Sequence, residues 1–164
     1  MVKIVIDSRE QDPLPVRNAV VDGLYTGDYS VRGFEDYITI ERKSIPDLVS
    51  SVTSDRERFE NECRRMKGYL FRRLLIIGSY ADLRSGNYRS RTKPKSVVNT
   101  LWAWQARYDL PFVFVDTPDE GARLVEKWLS WFVYEMNHCA KCAEKAGEME
   151  KGNKKWKTSS RIPT

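Results

Sequence analysis

The stretch Ile38-Thr39-Ile40-Glu41-Arg42-Lys43-Ser44-Ile45-Pro46-Asp47, preceded by Gly27-Asp28-Tyr29, decides how this chain is read. In an extended strand successive side chains alternate faces, so Glu41 and Lys43 project to one side while Arg42 points away. A carboxylate and an ammonium therefore share a surface. Asp28 follows Gly27 at the start of a neighbouring strand, and if the two strands pair as a hairpin its carboxylate approaches Glu41. Two converging carboxylates repel unless a cation lies between them, and oxygen ligands suit Mg²⁺ or Mn²⁺. Phosphodiester hydrolysis is chemistry such a site can perform, with Lys43 orienting the attacking water or helping to deprotonate it and offsetting charge on the phosphate. By composition alone two acids and a lysine more often form exposed ion pairs.

Working outward, Val2, Ile4, Val5 and Ile6 read as a buried strand ending at Asp7, and Ala19 to Val21, Asp28 to Val31 and Tyr37 to Arg42 as further strands, separated by Gly23, Gly27 and Gly33. Two helix starts follow, each with a capping box: Ser44 with Asp47, and Ser54 with Glu57. The second helix carries Phe59, Cys63, Met66 and Leu70 as its apolar stripe, which leaves Arg56, Arg58, Arg64, Arg65 and Lys67 to meet phosphate or solvent. Leu74 to Ile77 is a short strand, Asp82 to Lys95 a polar loop, Lys95 to Tyr108 a helix and Phe112 to Val115 another strand. The last helix begins at Pro118 and runs towards Asn137. A β-rich start followed by αβαβα is an α/β fold. Residues 1–138 are expected to form the folded domain and 139–164 a basic, flexible tail.

Charge is distributed unevenly. Residues 1–55 carry 6 basic and 10 acidic side chains, whereas residues 56–95 carry 12 and 4; residues 96–138 carry 3 and 6, and the tail 7 and 3. An acidic first third followed by a basic arm gives carboxylates for cations and arginines for phosphates. The alternative is a solvated basic helix face. No apolar run is long enough to cross a bilayer and no charged-then-apolar leader opens the chain, so a soluble, intracellular protein with no membrane partner is expected. Three cysteines, an odd count, fit a reducing compartment.

The motif Gly27-Asp28-Tyr29 with Glu41-Arg42-Lys43-Ser44-Ile45-Pro46-Asp47 resembles the signature of the XPF (ERCC4 domain) nuclease family, GDX(n)ERKX3D, with every fixed position present. Ile4-Val5-Ile6-Asp7-Ser8-Arg9-Glu10 is similar to that family's first strand. The resemblance is clearest from about Lys3 to Leu70 and extends by order of elements to about residue 137. It implies a restriction-endonuclease-like PD-(D/E)XK core, a mixed central sheet flanked by helices, that cuts branched, flap or fork DNA with Mg²⁺ or Mn²⁺ in repair or recombination. Carried over position by position, Asp28 and Glu41 match metal ligands, Lys43 the catalytic lysine, and Asp7 a further acidic site residue. Arg42 and Asp47 match motif positions; Asp47 is also the third helical residue of a capping box, and Arg42 a candidate structural ion-pair arginine. Glu10 is either an acid holding Arg9 or a site carboxylate. Arg9, Arg56 and Arg58 are expected phosphate contacts.

The chain departs from well-known members in having no recognisable tandem helix-hairpin-helix segment and no helicase, which puts fork specificity in doubt. Such nuclease domains commonly pair with a like domain. The surplus apolar residues of the last helix, among them Trp128, Trp131, Phe132 and Tyr134, independently point to a homodimer. Trp102 and Trp104 are expected in the core rather than stacked on bases. His138-Cys139-Ala140-Lys141-Cys142 contains a CxxC without a second ligand pair, which favours a helix end over zinc. Two rivals remain: a DNA-binding module that recruits another nuclease, and a nuclease for RNA or unbranched DNA.

Overall fold

The computed structural model describes residues 2–159, with side chains for residues 2–145. Six strands form one mixed sheet in the order β2-β1-β3-β4-β5-β6. They are β1 (Ile4–Asp7), β2 (Ala19–Asp22), β3 (Tyr29–Val31), β4 (Ile38–Ser44), β5 (Phe71–Ile77) and β6 (Phe112–Val115). The helices are α1 (Ile45–Val52), α2 (Arg56–Met66), α3 (Tyr80–Ser85), α4 (Pro94–Tyr108) and α5 (Pro118–Ser159). β1, β3 and β4 run antiparallel in sequence, while β4, β5 and β6 are mutually parallel. Parallel neighbours need crossovers, which α1 and α2 supply between β4 and β5, and α3 and α4 between β5 and β6. Every residue of β1 is buried, and β4 and β5 are buried or half-buried along their whole length, as in a sheet covered on both faces, although β4 carries Glu41, Arg42 and Lys43 and β5 carries Arg72 and Arg73.

One face packs against α1, α2 and α4 through Leu48, Phe59, Met66, Ile76, Leu101 and Trp104. Phe59 meets Trp104 edge-on at 4.8 Å, a favourable aromatic geometry. The opposite face receives the first part of α5, where Val125 and Leu129 are fully buried. A Cβ at Gly121 would lie 2.8 Å from Ile77 Cδ1, so glycine there lets the helix approach the sheet closely. The chain divides into two compact units, residues 1–130 and 131–164. α5 continues to Ser159, so no break in secondary structure marks residue 138. Trp131 and Tyr134 in the second unit are exposed. No helix among the described residues is long and apolar enough to cross a membrane.

Several local expectations are corrected. Ser54 does not cap α2: the cap position is Asp55, without a side-chain cap bond, because Ser50 Oγ donates to Asp55 Oδ2 at 2.9 Å. Leu70 is 66% exposed rather than core, since α2 ends at Met66 and Tyr69 turns inward instead. The expected loop at Asp82 begins inside α3, where Ser79 Oγ accepts from the amides of Ala81 and Asp82 and Gly86 closes the helix in a left-handed conformation. Trp104 is in the core as expected. Trp102 is not: it is half exposed and packs edge-on to Phe112 at 5.0 Å.

Candidate active site

The site is assembled where β3, β4 and the N-terminus of α1 meet. Gly27 has φ +76°, and a Cβ there would fall 2.1 Å from Thr39 Oγ1 and 3.2 Å from Ile40 O, so only glycine lets this backbone lie against β4. That approach allows the Asp28 amide to donate to Ile40 O at 2.9 Å, while Asp28 O accepts from the Asp7 amide at 2.8 Å. β3 then pairs antiparallel with β4 through Tyr29 and Ile40, the hairpin geometry on which the convergence of Asp28 and Glu41 depended.

Glu41 and Lys43 share the face of β4 that alternation assigned them. Lys43 Nζ donates to Glu41 Oε1 at 2.9 Å and stands 4.2 Å from the centroid of the Phe59 ring. Glu41 is 5% exposed and Lys43 7%. Asp28 is partly buried, and its Oδ2 accepts from the Arg42 amide at 2.7 Å. Burial pushes the Asp28 carboxyl up to about 7 against the lowering effect of the Arg42 amide, with Glu10 adding repulsion. Burial, then the charge of Asp28, raises the Glu41 carboxyl well above its ordinary value despite Lys43. Lys43 would lose proton affinity through burial, but Glu41 outweighs this and its pKa is raised. Lys43 is therefore a cation bonded to Glu41 and within the electrostatic reach of Asp28, two carboxylates that resist being charged together.

These groups line an open cleft of about 480 Å³ whose walls include Arg9, Glu10, Asp12, Arg42, Asp47 and Arg58. Arg42 points away from Glu41 as expected, and its guanidinium pairs with Asp12 and stands 3.9 Å from Glu10. Its buried Nε has no partner among the described residues. Arg42 thus ties the loop carrying Glu10 and Asp12 to β4, and its amide fixes Asp28. Asp47 serves both of its readings: Ser44 Oγ donates to its Oδ2 at 2.6 Å and accepts from its amide at 3.3 Å, and the residue also lines the cleft.

Asp7 is not brought into the cleft lining. Its carboxylate accepts from the Arg9 amide and guanidinium and from the Leu24 amide at 2.7 Å. Burial alone would raise its pKa, but those donors hold it below the ordinary value. Arg9 reaches the cleft with its side chain 69% exposed, anchored by Asp7 and Leu24 O. Arg58 lines the cleft, 72% exposed and 3.8 Å from Asp55. Arg56 does not: it pairs with Glu60 at 3.0 Å, on a part of α2 that borders a separate hollow. Sequence reasoning missed Asp12 and Glu62. Thr26 Oγ1 donates to Glu62 at 3.4 Å, and the Glu62 charge helps to raise both Asp28 and Glu41. Nothing local in the sequence flags Glu62, which sits among the exposed-looking positions of an arginine-rich helix.

The donor set suits a hard divalent ion. Among the described residues Asp28 Oδ1 and Glu41 Oε2 accept no hydrogen bond, and both carboxyls are raised, by burial first and then by carboxylates nearby: Glu10 and Glu62 for Asp28, Asp28 and Glu62 for Glu41. Among the described residues no group of three or more His, Cys, Asp or Glu forms a protein-only cage. Mg²⁺ needs none, being bound through one or two carboxylates with water and substrate phosphate completing its shell. Cys63 is buried in the core, and Cys139 and Cys142 are exposed on α5.

The model of the ERCC4 domain family matches residues 6–127. Among solved structures the chain is similar to XPF from Aeropyrum pernix in complex with DNA, at 22% identity and a TM-score of 0.65, over 82% of this chain and 66% of that one. It is similar also to XPF from Aeropyrum pernix, at 23% identity and 0.63, over 78% of this chain and 60% of that one. At such identity the likeness establishes the fold, the mixed sheet flanked by helices, and the chain spans only about two thirds or less of those proteins' length. No curated protein matches the chain.

Proposed function

Because this chain belongs to the ERCC4 domain family, we propose that it is a Mg²⁺- or Mn²⁺-dependent DNA endonuclease that hydrolyses phosphodiester bonds at branched, flap or fork structures in repair or recombination. The observation that carries this reading is the cluster of Asp28, Glu41 and Lys43 on the floor of an open cleft, with both carboxyls raised. Surface ion pairs do not need such burial. A site for a cation and a phosphate does.

A divalent ion bound by Asp28 and Glu41 would supply Lewis-acid neutralisation of the phosphate and a more acidic water. Lys43, kept protonated by Glu41, orients the attacking water and donates to a nonbridging oxygen as charge develops there; it is not the proton acceptor in the metal-free cleft. Arg42 positions Asp28 through its amide. Arg9 and Arg58, exposed at the cleft, contact flanking phosphates. Asp7 supports Arg9 rather than the metal. The DNA-bound state of the Aeropyrum pernix relative supports DNA as the partner. Exposed Trp131 and Tyr134 support a homodimer, in which a second copy covers that surface.

The test is cleavage of end-labelled flap, splayed-arm and plain duplex DNA, and of RNA, in Mg²⁺, Mn²⁺ or EDTA, beside Asp28→Asn. Metal-dependent cutting of branched DNA that disappears in the variant is expected. Binding without cutting in every metal would replace the enzyme by a recruiting module, and equal cutting of duplex or RNA would remove the structure selectivity.

A further inference from the structure

Several basic side chains of the first unit, Arg56 among the expected phosphate contacts, are committed to acidic partners. Arg56, Arg64 and Arg107 surround Glu60 at separations between 3.0 and 3.8 Å. Arg42 is held by Asp12 and Glu10. By contrast Arg84, Arg89, Arg91, Lys93 and Lys95 are exposed, no acidic residue lies between Arg84 and Lys95, and none of the five forms an ion pair among the described residues. Five exposed cations without an ion pair among the described residues thus stand in one short segment, a local concentration of positive charge.

That segment is not isolated from the cleft. Ser50 of α1 lines the cleft and also lines a second hollow, bounded by Pro46, Thr53, Tyr88 and Arg89. A third hollow shares Pro46, Tyr88 and Arg89 and reaches Gly86. Sharing these residues, the depressions adjoin one another from the cleft of Glu41 and Lys43, past Pro46, Ser50 and Thr53 of the α1 region, to the loop after α3. The loop is also held in shape: Tyr88 OH donates to Thr92 O at 2.8 Å, Ser90 Oγ to Thr92 Oγ1 at 2.9 Å, and the Tyr88 ring packs partly buried against the core. A held loop presents its cations at low entropic cost on binding.

From this we propose that the loop 86–93 is a second phosphate-binding element, and that the strand carrying the scissile phosphate continues from the cleft over α1 onto Arg89 and Arg91. The proposal rests on the nuclease reading and adds to it the direction in which the nucleic acid leaves the site. Pro46, Ser50 and Thr53 form a small, uncharged saddle under the strand. Arg89 and Arg91, two apart in the loop, bind the backbone and carry no base preference. Removing one cation that neutralises a phosphate lowers the salt dependence of binding by roughly one unit of slope.

The experiment uses the full chain and a fluorescent splayed-arm DNA in EDTA, with affinity read by anisotropy from low to moderate salt. Arg89→Ala/Arg91→Ala is compared with Arg64→Ala/Arg107→Ala, which removes as much charge from the Glu60 cluster. We expect the loop pair to weaken binding about tenfold or more and to lower the salt slope by about two, while the Glu60-cluster pair changes affinity less than threefold. In Mg²⁺ or Mn²⁺ the loop pair raises KM with kcat nearly kept. Thermal melting of both variants within a few degrees of the parent verifies the fold. Equal affinity and slope in the loop pair, while the parent binds and cuts, overturns the proposal and leaves the nuclease reading standing. Weakening of the same size in both pairs overturns it too, as a net-charge effect. A parent that neither binds nor cuts any nucleic acid defeats both.

Discussion

Lys43 Nζ lies 2.9 Å from Glu41 Oε1, and their side chains are 9% and 7% exposed. A pair so buried is costly to form and is strongly felt when one partner is removed. Lys43→Met deletes the cation and keeps the stem that packs near Phe59. Cleavage is expected to fall about 10²–10⁴-fold, the range for a group that acts on developing charge. Stability suffers less than a broken buried pair would suggest, because Glu41, already raised, takes up a proton instead of remaining an isolated anion. Single-turnover cleavage and urea denaturation at pH 6 and pH 8 check this. Unchanged cleavage would remove Lys43 from the mechanism.

Asp28 makes the metal-free protein pH-sensitive in a defined direction. Its carboxyl is raised from 3.8 to about 7 by burial, so the folded state holds its proton more tightly than the unfolded chain does. The stability this contributes is complete below about pH 4 and is lost as pH rises through about 7. Glu41 adds a contribution of the same sign. In EDTA, Asp28→Asn is therefore expected to be more stable than the parent at pH 8, by about 2–4 kcal/mol, with the difference shrinking towards pH 5. Added Mg²⁺ or Mn²⁺ stabilises the parent and not the variant. Melting curves in matched buffers decide it; a variant less stable than the parent at pH 8 would contradict the electrostatic account of the site.

The site was more legible in the sequence than its surroundings, for physical reasons. Alternation along a strand fixes which side chains share a face, so Ile38 to Ser44 placed Glu41 with Lys43 without knowledge of the neighbours. Ser44, Pro46 and Asp47 encode the start of α1 locally, and the structure realises that cap. Ser54 and Leu70 misled because their neighbours took the places expected of them: Asp55 accepts from Ser50 at the end of α1, and Tyr69 turns into the core. The commitments of arginines were legible only in part: Arg42 was open to reading as an ion-pair arginine, and Asp12 and Glu10 hold it, but Glu60 gathers Arg107 from α4 as well as Arg56 from its own helix, and the Arg107 partnership is visible only once the helices pack. Asp7 is a similar case, since its second partner, the Leu24 amide, comes from a distant turn.

Asp7 therefore gives the sharpest separation between a fold role and a site role. It is 2% exposed and accepts from Arg9 and from the Leu24 amide. Asp7→Ala strips those donors of their acceptor. The Arg9 guanidinium is largely exposed and can turn to solvent, whereas the Leu24 amide is buried and cannot. The expected cost is about 2–3 kcal/mol of stability, read as a lower urea midpoint with an unchanged slope. Because the donors hold the Asp7 carboxyl below its ordinary value, this contribution is present above about pH 4 and lost as pH falls further, opposite in sign to that of Asp28. Cleavage by the folded fraction at low temperature should stay within about tenfold of the parent, since the substitution removes the anchoring of Arg9 at the cleft rather than a ligand of the reacting phosphate. A variant with parental stability and no detectable cleavage would instead put Asp7 among the groups that hold the metal.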